Sequence, residues 1–348
     1  MSRILITGGA GFIGCNAAKR FMDRGDRVVV VDDLSRKGTN LNLAWLKEQG
    51  GGGGGGFDFI QADIRDAGAM CEAIGRDRDL DAVLHLAAQV AVTTSVTDPR
   101  SDFDINALGT FNVLEAVRQA PSDPIMVYAS TNKVYGGMED VAVVERNGRY
   151  AYEDLPGGVP ESRTLDFHSP YGCSKGAADQ YVRDYARIYG LRTTVFRQSC
   201  IYGYRQLGVE DQGWVAWFTI AAVLGKPIVL YGDGKQVRDL LFIDDLMDAY
   251  VLAVDEPARV SGGIYNFGGG PENVLSLLEL LDMLKALNGA DVERSSDDWR
   301  PGDQRVFVSD ITLAERKLGW KPKVGAGEGV RKLHAWVVEN RGMLEKIF

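Results

Sequence analysis

The sequence is short of several things that would otherwise define its chemistry. Cysteine occurs four times, at Cys15, Cys71, Cys173 and Cys200, far apart and never as a C-x-x-C pair. That distribution argues against a metal centre or a disulfide framework and fits reduced thiols. Of the three histidines, His85 lies inside an apolar run, where a hydrogen-bonded core position suits it better than the role of a base. Basic residues are outnumbered, 39 Lys and Arg against 48 Asp and Glu, for a net charge of −9. A broad nucleic-acid surface is therefore not expected. No apolar run approaches bilayer length, and the chain enters a strand directly, without a charged and then apolar leader. The expectation is a cytoplasmic protein without membrane contact.

What is present is alternation. Apolar strand-like runs at Arg3–Thr7, Arg27–Val31, Phe57–Gln61, Ala82–Leu86, Ile125–Ala129 and Thr193–Arg197 are separated by helix-like stretches. The helices fall near 12–24, 41–49, 66–76, 101–119 and 171–189, with another near 242–254. This pattern predicts an α/β fold, a Rossmann-type doubly wound parallel sheet, with ligands gathered at the C-terminal ends of the strands. At 348 residues the chain has room for a second, smaller mixed α/β domain at its C-terminal side. The glycine run Gly50–Gly56 has no side chain to pack and is expected to be a surface loop without function.

The first strand runs into Thr7–Gly8–Gly9–Ala10–Gly11–Phe12–Ile13–Gly14 and then into a helix. Glycines at 8, 11 and 14 permit the turn, a close backbone approach to a diphosphate, and tight helix–strand packing. The free N–H groups opening the helix face an anion. The second strand ends at Asp32, whose carboxylate suits both ribose hydroxyls of an adenosine and repels a 2′-phosphate, so NAD is predicted rather than NADP. Arg36, close by, is the residue that would instead suit that phosphate. Asp63 after the third strand suits an adenine amino group or, equally, the cap of the next helix. Small residues in Leu86–Ala87–Ala88–Gln89 leave room for a dinucleotide, and Asn106 inside a helix needs a hydrogen-bond partner.

The fifth strand ends in Ser130–Thr131–Asn132–Lys133, and Ser169–Pro170–Tyr171–Gly172–Cys173–Ser174–Lys175 follows later. Pro170 suits a helix start, and Tyr171 and Lys175, at i and i+4, share one face. A phenol of ordinary pKa near 10 is a poor base, but a nearby ammonium and an oxidised nicotinamide both favour its phenolate. Tyr171 is thereby a candidate base for a substrate hydroxyl. Thr131 is a candidate partner for the same oxygen, and Lys175 for the nicotinamide ribose.

These motifs together resemble the extended short-chain dehydrogenase/reductase family of nucleotide-sugar epimerases and dehydratases, over nearly the whole chain. The stretches Asp33–Gly38, Ser130–Gly136, Leu165–Gln180 and Asp211–Trp214 resemble the branch of that family that inverts C2 of a CDP-linked deoxysugar. The resemblance implies NAD held by Gly8, Gly11, Phe12, Ile13 and Gly14, and by Asp32, Asp33, Ser35 and Arg36. It adds Asp63, Ile64, Leu86, Ala87, Ala88 and Gln89, then Asn106, Ser130, Tyr171, Lys175 and Gln198. Catalysis falls to Thr131, Tyr171 and Lys175. A nucleotide-diphosphate sugar would be held by Gln89, Thr131, Asn132, Lys133, Tyr171 and Ser199. Arg205, Gln212, Arg238 and Arg300 complete that set, the last two as diphosphate clamps or, alternatively, surface ion-pair partners. Trp214 and Trp217 read as packing residues.

The domains implied are 1–201 with 240–267 for NAD, and 202–239 with 268–348 for the nucleotide sugar. Helices 102–119 and 171–189 would pair two copies into a homodimer or a dimer of dimers. Where the resembling dehydratases carry Asp–Glu, this chain has Asn132–Lys133, which offers no acid–base pair for water elimination. Epimerisation at C4 of a UDP-sugar and a non-catalytic NAD-sensing role are the alternatives. The second is disfavoured by the joint presence of Thr131, Tyr171 and Lys175.

Overall fold

A strand apolar on both faces is buried only within a sheet covered from both sides, and the first strand meets that demand. The computed structural model describes residues 1–50, 56–76, 78–210, 212–300 and 303–348. The interior of the Gly50–Gly56 run, residues 51–55, lies outside the described residues, as do residues 301 and 302 of the arginine-bearing loop.

The chain begins β1 (Arg3–Thr7), α1 (Phe12–Asp23), β2 (Arg27–Asp32), α2 (Thr39–Gly50), β3 (Phe57–Gln61), α3 (Ala67–Gly75) and β4 (Ala82–His85). It continues through α4 (Val92–Thr97), α5 (Pro99–Phe103), a π-helical turn (Asp104–Leu108), α6 (Gly109–Gln119) and β5 (Ile125–Thr131). Next come a hairpin of β6 (Val143–Arg146) and β7 (Arg149–Tyr152), then α7 (Ser169–Tyr189), β8 (Thr193–Gln198) and β9 (Ile201–Tyr202). The remainder comprises α8 (Trp214–Leu224), β10 (Ile228–Tyr231), β11 (Val237–Asp239), β12 (Leu241–Phe242), α9 (Ile243–Asp255) and α10 (Pro257–Val260). The chain closes with β13 (Ile264–Phe267), β14 (Val274–Ser276), α11 (Leu277–Asn288), β15 (Arg294–Asp297), β16 (Val306–Phe307), α12 (Thr312–Leu318), α13 (Ala326–Glu339) and α14 (Arg341–Leu344).

Two compact units result. One is Met1–Val134, Phe167–Arg197 and Met247–Tyr265; the other is Tyr135–Asp166, Gln198–Leu246 and Asn266–Phe348. The first carries the seven-stranded sheet, in the order β13-β8-β5-β4-β1-β2-β3. β1 is parallel to β2 and β4, β2 to β3, and β4 to β5. The chain steps from β1 outward to β3 and then returns to build the other side from β4. The C-terminal ends of β1 and β4 therefore flank the switch point where doubly wound sheets open a ligand crevice. Leu5, Val83, Met126 and Val195 of the sheet bury one face against Val113, Leu114 and Val117 of α6 and Val182 of α7.

The predicted strands stand within a residue or two of those observed. The helix expected over 101–119 is not continuous: α5 and α6 are joined by the π-helical turn. There the side chain of Asn106 bonds outside its own helix, to Gln89. A widened turn that bonds its side chains elsewhere is a recurrent mark of functional helices. In the second unit β14, β11 and β16 form one small sheet and β10 pairs with β15, while β6 and β7 form an antiparallel pair.

Candidate active site

The turn after β1 is shaped for something to lie against its backbone. A Cβ at Gly14 would stand 2.2 Å from the Gly8 oxygen and 2.6 Å from the Gly9 Cα, and one at Gly8 would meet the Ala87 nitrogen at 2.6 Å. Gly8 has φ +67°, a left-handed conformation that glycine adopts without strain. Gly11 caps α1 with no side-chain hydrogen bond to the helix, so the N–H groups at Phe12 and Ile13 have no side-chain acceptor from the cap. Those residues fit a dinucleotide diphosphate: a backbone cradle that any side chain would fill, closed by the positive end of a helix.

At the end of β2, Asp32 is buried and accepts from the Ala10 N–H at 3.0 Å and the Leu34 N–H at 2.8 Å. Burial raises its pKa, and those two bonds oppose the rise. One bond to each oxygen leaves lone pairs for further donors. Asp33 holds its own turn by accepting from the Ser35 N–H and hydroxyl. Asp63 takes a bidentate guanidinium from Arg65, which holds its carboxyl below the ordinary range. It is not the cap of α3; that role belongs to Asp66, which accepts from the Ala69 N–H. Ile64 is buried and its carbonyl accepts from Asn112. At β4, the Leu86 and Ala87 N–H groups bond Thr7, and Ala88 lies in the same half-buried segment.

The structure brings Thr131, Tyr171 and Lys175 together in the first unit, at the end of β5 and the start of α7. Pro170 opens that helix. The Tyr171 phenol lies beside Thr131, whose hydroxyl accepts from the Lys133 N–H at 3.2 Å and donates to the Asn132 amide oxygen at 3.3 Å. Burial pushes the phenol up to about 12; the Thr131 hydroxyl and the Arg36 guanidinium pull it down, and the Asp102 carboxylate pushes it up. An ammonium beside the phenol was the expected cause of its acidity, yet Lys175 Nζ donates to the Ala129 carbonyl at 2.7 Å. It also lies 4.3 Å from the centroid of the Tyr128 ring. Burial brings Lys175 down to about 7, against the carboxylates of Asp179 and Asp102. His85 is a core residue, bonded to Thr7 at 2.7 Å and Thr110 at 3.0 Å, and burial beside Lys175 lowers it to about 3.

Two buried carboxylates that sequence reasoning missed stand behind this group. Asp179, one turn beyond Lys175, takes Nε of Arg197 at 2.9 Å, a second Arg197 nitrogen at 3.0 Å and the Ser130 hydroxyl at 2.7 Å. Its position at i+4 from Lys175 is the signal that could have found it. Asp102 takes the Gln89 amide at 2.8 Å, the Asn106 amide at 3.1 Å and the Ser174 hydroxyl at 2.5 Å. Both hydrogens of the Gln89 amide are engaged within the protein, one on Asp102 and one on the Ala91 carbonyl. The Ser130 hydroxyl is likewise turned inward, to Asp179.

In the second unit, Gln198 is buried at the end of β8, and the Ser199 hydroxyl faces Asp239 at 2.6 Å rather than a cleft. Arg238 on β11 pairs with Asp303 at 2.5 Å. Arg300 stacks 3.9 Å above the Tyr231 ring and donates to the Glu210 carbonyl at 3.2 Å. Gln212 closes a short backbone pairing with Val209, and Arg205 takes a left-handed φ of +62°. Trp214 packs edge-on against Phe218 and donates to Cys200 Sγ, and Trp217 packs against Phe348.

Among proteins of assigned activity, the chain is 46% identical over 339 residues to the CDP-paratose 2-epimerase of Salmonella typhi, with 96% of this chain and 98% of that one covered. Among solved structures it superposes on UDP-glucose 4-epimerase of Thermotoga maritima with UDP-glucose. The TM-score is 0.83 at 31% identity, and 97% and 99% of the two chains are covered. It superposes equally, at TM-score 0.83 and 30% identity, on dTDP-glucose 4,6-dehydratase of Streptomyces venezuelae with NAD bound, over 99% and 100% of the chains. The family model described as NAD dependent epimerase/dehydratase matches residues 4–268, the stretch that holds the glycine cradle and the Thr131–Tyr171–Lys175 group. The chain is therefore an NAD-dependent enzyme and belongs to that epimerase/dehydratase family.

Proposed function

We propose that the protein interconverts a CDP-linked deoxysugar and its C2 epimer, of the CDP-paratose and CDP-tyvelose type, with no net redox change. The observation that carries the reading is the placement of the Thr131 hydroxyl beside the Tyr171 phenol, with Lys175 one turn along the same helix, in the unit that holds the glycine cradle. The choice of C2 and of cytidine rests on the 46% identical relative.

Gly8, Gly11 and Gly14 with the N–H groups of Phe12 and Ile13 would hold the cofactor diphosphate, and Asp32 the adenosine ribose. Asp33, Ser35, Arg36, Asp63, Ile64, Leu86, Ala87 and Ala88 would line the same groove, and Gln198 is a further cofactor contact. Bound NAD supplies reversible acceptance of the carbon-bound hydrogen with its electron pair. Tyr171 takes the proton from the sugar hydroxyl and returns it to the same oxygen once the sugar has presented its other face. Thr131 bonds that oxygen throughout, so the proton moves along a preformed line. Asn132 and Lys133 contact the sugar, and neither supplies the acid–base pair that loss of water demands.

The second unit receives the nucleotide diphosphate through Arg238 and Arg300, whose planar forks exchange Asp303 and Glu210 for phosphate oxygens. Among the described residues no helix is long and apolar enough to cross a membrane, and we place the enzyme in the cytoplasm. Exposed Phe103, Phe111, Tyr181 and Ile188 on α5, α6 and α7 form the face through which a second copy binds.

The test is incubation of the purified enzyme with CDP-paratose or CDP-tyvelose, with product stereochemistry read by NMR. Approach to one equilibrium mixture from both sides is expected. Inversion only at C4 of a UDP-sugar would overturn the C2 reading, and bound NAD without turnover of any nucleotide sugar would overturn the enzymatic one.

A further inference from the structure

The chain enters α7 by a sharp reversal two residues before Tyr171. Phe167 lies alongside the helix that follows it. Its ring takes the space of a side chain at Gly176, where a Cβ would stand 2.3 Å from the ring, and its carbonyl accepts from the Cys173 thiol at 3.9 Å. His168 is extended and gives the helix no side-chain bond. The reversal falls on Ser169, which has φ +69°. That left-handed region suits glycine or asparagine, and a residue ahead of proline is restricted further. The strain follows from packing Phe167 against α7 while Pro170, its φ fixed by its ring, opens the helix.

The Ser169 hydroxyl supplies what His168 does not. It accepts from the Gly172 N–H at 3.2 Å, satisfying one of the donors that a helix start leaves without a backbone partner. The loop closed by this bond contains the backbone of Pro170 and Tyr171, so the phenol leaves a segment fixed at both ends. Gly172 in turn lies against the chain that follows β5. A Cβ there would stand 3.3 Å from the carbonyl of Lys133, two residues past Thr131.

We propose that Ser169 is a positioning residue: a strained, hydrogen-bonded pivot that aims the Tyr171 phenol. Such strain persists only where the surroundings over-determine it, here through Phe167 on one side and the Gly172 N–H on the other. The proposal rests on the reading of Tyr171 as the proton acceptor in epimerisation. Two properties of the serine are separable: its left-handed backbone, which lowers stability, and its hydroxyl, which orients the turn.

Three substitutions in the NAD-loaded enzyme separate them. Ser169→Gly takes the left-handed φ without strain but has no hydroxyl. Its Tm should hold or rise while kcat falls roughly 10- to 100-fold at unchanged KM, the scale of a reacting group misplaced by about 1 Å. Ser169→Ala keeps the strain and loses the cap, so Tm and kcat fall together. Ser169→Asn tolerates the left-handed backbone and caps as well as serine, so it should keep the parental kcat with Tm at or above the parent. Parental kcat in Ser169→Gly, or a fall of its Tm in step with kcat, overturns the proposal, as does lost turnover in Ser169→Asn. If the parent enzyme turns over no nucleotide sugar, the substrate reading has failed. The order of Tm values then decides the pivot by itself: Ser169→Gly and Ser169→Asn above Ser169→Ala supports it, and Ser169→Ala as stable as the other two overturns it.

Discussion

Lys175 and Ala129 are joined by a hydrogen bond of 2.7 Å from the ammonium to the backbone carbonyl, just before the strand delivers Ser130 and Thr131. The lysine is thereby held against the C-terminal end of β5. The phenol one turn earlier draws its electrostatic help from the guanidinium of Arg36.

Tyr171→Phe removes the proton acceptor but no backbone contact. Turnover should fall by roughly 10²–10⁴-fold, the range of a lost general base. Bound NAD, measured after denaturation and release, should remain near one equivalent per chain. A variant that keeps wild-type turnover would remove Tyr171 from the chemistry.

Arg36→Met takes a cation away from a phenol that burial has already pushed to about 12. The phenolate becomes harder to form, so the acid limb of the pH–rate profile should move to higher pH. NAD affinity, measured separately by calorimetry, distinguishes this from simple loss of cofactor. A limb that stays put would show that Arg36 serves binding alone.

His85 gives the fold an acid weakness. Its folded pKa is about 3 against an ordinary 6.5, so the unfolded chain takes up a proton that the native state refuses. Stability is complete above pH 6.5 and is lost as pH falls towards 3, at no more than about 1.4 kcal/mol per pH unit. His85→Gln should be less stable near neutrality yet lose less on acidification, as read by urea unfolding at a series of pH values. Parallel losses in both proteins would place the acid sensitivity elsewhere.

Arg197→Met strands the Asp179 carboxylate at 0% exposure and should cost about 3–5 kcal/mol in urea unfolding. Adding Asp179→Leu should recover much of it, because the pair is then absent rather than broken. Equal stability of the two variants would mean that the Ser130 hydroxyl and the Gln180 amide, which donates to Asp179 at 2.8 Å, suffice to hold the charge.

The sheet, the glycine turn and the Tyr171–Lys175 face were legible because each depends on neighbours within a few positions. Strand alternation, φ freedom at Gly8 and i,i+4 geometry are local properties. Asp102 was invisible for the opposite reason: it meets Ser174 across 72 positions, and an Asp in a helical stretch looks like solvated surface. Arg197 sits at the end of a strand that packing alone explains, and only the fold shows its charge turned inward to α7. The break of the 101–119 helix was hidden because its apolar spacing suits a continuous helix as well as an interrupted one.

The π-helical turn at Asp104–Leu108 has a consequence for the length of the chain itself. One residue corresponds to about 100° of rotation around a helix axis. Deleting a single amino acid from that turn would let α5 and α6 fuse into one regular rod, with Asn106 swung away from Gln89 and Ser174. Such a protein should still melt cooperatively, with the helix content of its parent, and yet be inert. The extra residue that looks like a flaw in the helix is what lets a distant segment reach the reacting end of the molecule.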